Sequence, residues 1–217
     1  MTLTDEFLRH LTTAERARLR RLRTPADIQA MVDGFTYSSD PFYRCPLRTL
    51  RDGLAHCFDG ALFAAAALRL LGFPPLVLEM LPNHRDDDHI LALYKIDGHW
   101  GAIAKSNFVG LRFREPIHRT LRELVLSYFE AYYNVEREKT LRGYTLPMNL
   151  SRLDHTRWMV SDDGLEDVAA AFDRQRRVRL LTPAMERRLQ PVDPRTYESG
   201  LQGAVAAGLW RPASKDT

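Results

Sequence analysis

Lysine and cysteine are the scarce residues of this chain. Only four of its 31 basic residues are lysines (Lys95, Lys105, Lys139 and Lys215), and it has two cysteines, Cys45 and Cys57, in 217 residues. Two thiols cannot build a disulfide framework, so both are expected to be free. The arginine skew reads as coding bias. The basic residues are spread along the chain and the formal charge is only +3, so nucleic acid is not expected as a partner. No apolar run approaches the roughly 18–20 residues that a membrane span needs. Asp5, Arg9 and His10 interrupt the start, where a signal peptide would carry its hydrophobic stretch. The expectation is a cytoplasmic protein away from membranes. There is also no phosphate-cradling glycine loop, no CxxC pair and no internal repeat, which removes the enzyme classes that depend on them. No cofactor is expected.

What is present suits a soluble globular protein, with 45% hydrophobic and 27% charged residues. The chain is organised around the stretch from Arg51 to Gly72. Turn formers at Asp52 and Gly53 lead into an Ala- and Leu-rich run that Gly72, Pro74 and Pro75 stop, the signature of a buried helix. Cys57 falls at or near its first turn. Unpaired N–H groups and the positive end of the helix dipole favour a thiolate there, although a free cysteine is also commonly buried as a small hydrophobe. Asp59 would oppose ionisation if it pointed toward the sulfur.

Ahead of this helix, Leu8, Leu11, Leu19 and Leu22 predict one amphipathic helix over 5–23, and Thr24-Pro25 starts a second. Residues 37–48 read as a loop, so Cys45 is given no chemical role. After the central helix, Leu76–Leu81 reads as a buried strand. His89–Ile96 and His99–Ala104 read as a hairpin about Asp97-Gly98. Leu121 to Tyr132 keeps helical spacing. Beyond it, 143–147 reads as a connector, 157–160 and 177–181 as short strands, 165–176 as a helix, and Thr182-Pro183 as another helix start; the tail from Arg211 is expected to fray.

A thiol nucleophile needs a base within reach and a group to orient that base. His56 adjoins Cys57 but points elsewhere on a helix, and His99 lies at the hairpin turn. His89 opens a strand whose end can meet the helix start, which makes it the better base. The cluster His84, Asp86, Asp87, Asp88 and His89 matches no metal-ligand spacing and reads as a charged turn, so no metal is expected.

Gly53-x3-Cys57-x3-Ala61, Ala67-Leu68-Arg69-x2-Gly72-Phe73-Pro74, a strand, Asp88-His89 and then Gly98-x-Trp100 together resemble the core of the transglutaminase-like superfamily. The fold of that family is similar to that of papain-like thiol proteases. The resemblance covers residues 20–110. It implies an α+β fold with a central helix packed on an antiparallel sheet. With the N-terminal helices this core is read over residues 1–135, and the later helix and strand patterns read as an α/β extension over 136–217 packed on that core. It also implies Cys57 as nucleophile and His89 as general base. Two positions depart from the family pattern. Leu91 stands where an aromatic residue is usual, and Ala104 stands where the aspartate of the triad is usual. Pairing arithmetic offers replacements: a two-residue turn at Asp97-Gly98 brings Ser106 opposite His89, and a three-residue turn with a bulge brings Asn107 there. Asn107 is favoured for the reach of its amide.

Two readings follow. One is a cysteine-dependent acyl transferase or amide or peptide hydrolase acting on a peptide or protein carboxamide. The other is an inactive fold of the same type that binds a peptide or protein in the same groove.

Overall fold

The computed structural model describes residues 2–211. The expectation for the C-terminal tail therefore lies largely outside the described residues. In chain order the elements are α1 (Leu3–His10), α2 (Thr13–Leu19), α3 (Pro25–Asp33), β1 (Thr36–Tyr37), α4 (Pro46–Asp52), β2 (Leu54–Ala55), α5 (Cys57–Leu70), β3 (Leu76–Pro82), β4 (His89–Ile96), β5 (His99–Ile103), β6 (Arg114–His118), α6 (Leu121–Leu126), β7 (Leu141–Thr145), β8 (Met148–Asn149), α7 (Leu165–Asp173), β9 (Arg177–Arg179), α8 (Pro183–Glu186) and α9 (Pro194–Gly200). This is a mixed α and β architecture built on an antiparallel sheet of order β6-β5-β4-β3-β7-β9, with β8 also paired to β3. Residues on either side of position 135 share that sheet. Among the described residues no helix is long and apolar enough to cross a membrane.

Alternation along the strands divides the core into two layers. Val77, Ile90, Ala92 and Tyr94 face α5 and the N-terminal helices. Leu78, Met80, Leu91 and Leu93 face the opposite side, against Leu124, Tyr128 and Tyr132. Eleven residues of α5, Phe58 through Leu68, are buried. That is why its sequence carries so little polar periodicity: the helix is enclosed on all sides.

Several expectations are corrected. The first helix is two, because Leu11 leaves helical geometry and Thr12 begins a fresh capping box with Glu15. Within the expected loop, Pro46 starts α4, with Cys45 as its N-cap residue. The helix expected from 120 ends at Leu126 and continues only as a 3-10 turn. Residues 143–147 are mostly strand, because Met80 and Leu81 of β3 offer an edge for Tyr144 and Gly143 to pair with. Residues 157–160 form a turn rather than a strand: Arg157 takes φ 56°, and the fully buried Trp158 donates its Nε1–H to Asp154 at 3.2 Å.

The hairpin is the element that sets the site. Asp97 (φ 48°) and Gly98 (φ 82°) both lie in the left-handed region, so the turn has two residues and Ile96 pairs with His99. Pairing stops at Ala92 with Ile103. Beyond that point Gln29 of α3 engages the Ala104 peptide at both ends, 3.0 Å from its N–H and 3.0 Å from its carbonyl. The chain is thereby drawn away from β4, and the start of α5 comes up to the segment that has left the sheet. Gly60 permits that approach, since a Cβ there would lie 2.3 Å from Lys105 Cβ.

Candidate active site

Cys57 is the first residue of α5. His56 is the N-cap; its Nδ1 accepts from the Phe58 N–H at 3.2 Å, and Asp59 completes a capping box. Asp59 is fully buried and turned toward Arg44, accepting its backbone N–H at 2.8 Å. Its carboxylate is therefore committed to the helix start. The Cys57 sulfur is half-buried and lies 3.9 Å from the carbonyl oxygen of Asp88. Burial pushes its thiol well above the usual cysteine range, and the carboxylates of Asp88 and Asp87 add to this. At rest the sulfur is a thiol.

His89 opens β4 and is 4% exposed. It points to the sheet face opposite α5, edge-on to Tyr132 with ring centroids 6.5 Å apart. Its Nε2 is 2.8 Å from the carbonyl oxygen of Leu111. A carbonyl only accepts, so Nε2 carries the proton and Nδ1 holds the lone pair. Burial lowers the ring to about 4, so it is neutral near pH 7. Cys57 and His89 both line a cleft of about 60 Å³ where the start of α5 meets the start of β4.

Neither Ser106 nor Asn107, the residues expected beside His89, hydrogen-bonds to its ring. The two-residue turn selects Ser106, not Asn107, as the continuation opposite His89. Neither side chain takes that role here, because β5 has ended before reaching them. Ser106 Oγ accepts the Phe108 N–H at 3.0 Å. The Asn107 amide is held at both ends by Val205, donating to its carbonyl at 2.8 Å and accepting its N–H at 2.8 Å. Both residues do line the cleft with Cys57 and His89. The partner that holds the imidazole is the main chain of Leu111, and a backbone carbonyl leaves no mark in a sequence.

Among solved structures, the chain is similar to Legionella pneumophila LapG. The match has 14% identity and a TM-score of 0.42 over 79% of this chain and 93% of that one. An EGTA-treated form of Legionella pneumophila LapG matches with 13% identity and a TM-score of 0.39 over 72% and 91%. Likeness at that distance assigns no activity to this chain. No family model matches it, and no curated protein does.

Three features of the site had no sequence signal. Tyr37, in the stretch read as loop, lines the cleft beside Cys57, and burial raises its phenol far above the ordinary value, so it stays protonated. Tyr132, read as core, donates to the Asp87 carbonyl at 2.9 Å and fixes the acidic turn. Gly208 and Trp210, near the far end of the chain, border the same cleft. On its other side Cys57 opens onto a larger groove of about 720 Å³ between the 37–43 segment and α7.

Proposed function

We propose that the protein is a thiol-dependent acyl transferase or amide or peptide hydrolase. The carrying observation is that a helix-start cysteine shares one cleft with a neutral imidazole whose Nε2 is tied to a carbonyl, leaving Nδ1 as the base. Nδ1 of His89 takes the thiol proton as the Cys57 sulfur bonds to the substrate carbonyl carbon, and the carbonyl π pair moves to oxygen. The Cys57 N–H, at the first helical position, and the Tyr37 phenol are the donors assigned to that oxyanion. As the tetrahedral adduct collapses, the C–N bond breaks and the amine leaves with the proton from His89. Water or an amine then attacks the thioester carbonyl, His89 removing the attacking proton; the C–S bond breaks and His89 returns that proton to the Cys57 sulfur, restoring the thiol. The 720 Å³ groove beside the sulfur has room for a peptide segment of the substrate.

A second reading, a groove that binds a peptide without chemistry, draws on the raised Cys57 thiol and on an orienter that is a neutral carbonyl rather than a carboxylate. One experiment separates the two. With p-nitrophenyl acetate, peptide mapping should find an acetyl group on Cys57 that turns over, is absent in Cys57→Ala, and forms far more slowly in His89→Ala. An unmodified Cys57 in the wild type would leave only the binding reading.

A further inference from the structure

The charge of the large groove runs against that of the chain. The protein has a formal charge of +3 and 31 basic residues. Yet among the described residues no lysine or arginine lines the groove, whereas Asp40, Glu79, Asp87, Asp88, Glu166 and Asp173 do. Two of the six are partly neutralised: Asp40 is paired with Arg44, and Asp173 with Arg177 at 3.6 Å. His56, which also borders the groove, is lowered to about 4, mainly by burial, and carries no charge near pH 7.

Glu79 is the telling member. It projects from β3 into the groove floor, is 7% exposed, and its Oε2 has no donor among the described residues. A buried carboxylate oxygen without a partner is costly, and such a group is ordinarily paired. The Asp88 carboxyl beside it hydrogen-bonds to Glu79. Burial first, then a side-chain hydrogen bond with Glu79 and the Glu79 charge, raise Asp88 to about 7 even though solvent reaches the residue, and burial raises Glu79 as well, so the two carboxyls share a proton. No basic side chain lies in the groove lining to let both ionise, and a cationic head set between them would displace the shared proton. A divalent ion is the poorer fit, because among the described residues no three His, Cys, Asp or Glu side chains converge as ligands would. An extended organic cation with several N–H donors matches a row of carboxylates that do not converge on a point.

We infer that the groove beside Cys57 is a specificity site for a basic side chain, lysine or arginine, of a peptide substrate, with Glu79 and Asp88 receiving its charged head and Glu166 and Asp173 drawing it in at the rim. This rests on the proposed acyl chemistry for the word substrate, but the recognition itself is tested without it. The rim residues Glu166 and Asp173 are exposed, so their substitution leaves the fold alone.

The test is the rate at which Cys57 of the full chain reacts with methanethiosulfonates bearing an ammonium, a sulfonate or no charge, each divided by its rate with free mercaptoethanol. The normalised ammonium-to-sulfonate ratio is expected at ~10-fold or more, within the range that focused fields give, and it should shrink in high salt. It should fall several-fold in Glu166→Gln/Asp173→Asn and further in Glu79→Gln. A trilysine peptide should shield Cys57 from the neutral reagent, and a triglutamate peptide should not. A ratio near one in the wild type overturns the inference, as does shielding by magnesium or calcium chloride but not by trilysine. A ratio near one with intact His89-dependent acetylation removes the inference alone. A high ratio without acetylation removes the acyl chemistry and leaves the recognition of a basic peptide.

Discussion

Nε2 of His89 sits 2.8 Å from the carbonyl oxygen of Leu111, a residue 22 positions further along the chain. That single contact fixes the tautomer and turns Nδ1 into the free nitrogen. In the proposed chemistry it would supply from the main chain what an aspartate or asparagine supplies from a side chain, without a formal negative charge to stabilise the imidazolium.

The enclosure of that ring makes His89 a measurable term in acid stability. Burial lowers it from 6.5 to about 4. On acidification the unfolded chain binds this proton first, so the contribution of His89 to stability is present above about 6.5 and is lost as pH falls toward about 4. Chemical denaturation across that window should show the wild type losing stability relative to His89→Gln by up to about 3 kcal/mol. Parallel pH curves for the two proteins would contradict a buried neutral ring.

The resting thiol gives a second expectation. With Cys57 raised by burial and by Asp88 and Asp87, alkylation by iodoacetamide should climb steadily past pH 8 with no shoulder below pH 7. Cys45 is 3% exposed and pushed up to about 12, so it should stay unlabelled in the same samples. A plateau on the acid side would mean a standing thiolate and imidazolium pair.

Gly60→Ala probes the approach of α5 to the segment leaving β5. The new methyl would meet Lys105 Cβ, which is fixed close to the backbone, at 2.3 Å. Destabilisation of about 1–3 kcal/mol is expected, together with a fall in the acetylation rate larger than that in Leu8→Ala, a substitution at an exposed position remote from the groove. Thermal melts and acetylation rates measured side by side check both parts.

Asn107→Ala separates two roles for that residue. Its amide holds Val205 at both ends, and the chain from Val205 leads to Gly208 and Trp210 at the cleft. Substitution should loosen this border and speed alkylation of Cys57 by a neutral reagent several-fold, while acetylation remains dependent on His89. A loss of acetylation as deep as that of His89→Ala would instead mark Asn107 as the group that orients the base.

Much of this frame was legible in the residues. Asp97-Gly98 dictates a two-residue turn, and with it the register from Ile96 and His99 inward. Gly53, Gly72 and the alanine run bound α5 and so put Cys57 at its start. The orienter was not legible, because register arithmetic assumes that the strands stay paired. Gln29, 75 residues away in sequence, ends the pairing by binding the Ala104 peptide. Nor could spacing reveal Leu111, whose contact with His89 runs through its backbone, or the carboxylate groove, whose members come from the 37–43 segment, β3, the acidic turn and α7 and gather only in the folded chain.

The central claim is that His89 acts as a base on Cys57. Its most direct measurement is the single-turnover acetylation of Cys57 by p-nitrophenyl acetate at pH 7.5, followed by intact mass in the wild type and in His89→Gln, with both shown to be folded by their melts. The expected result is one acetyl group per wild-type chain and a rate reduced ~10²-fold or more in His89→Gln. Equal rates in the two proteins would contradict the account.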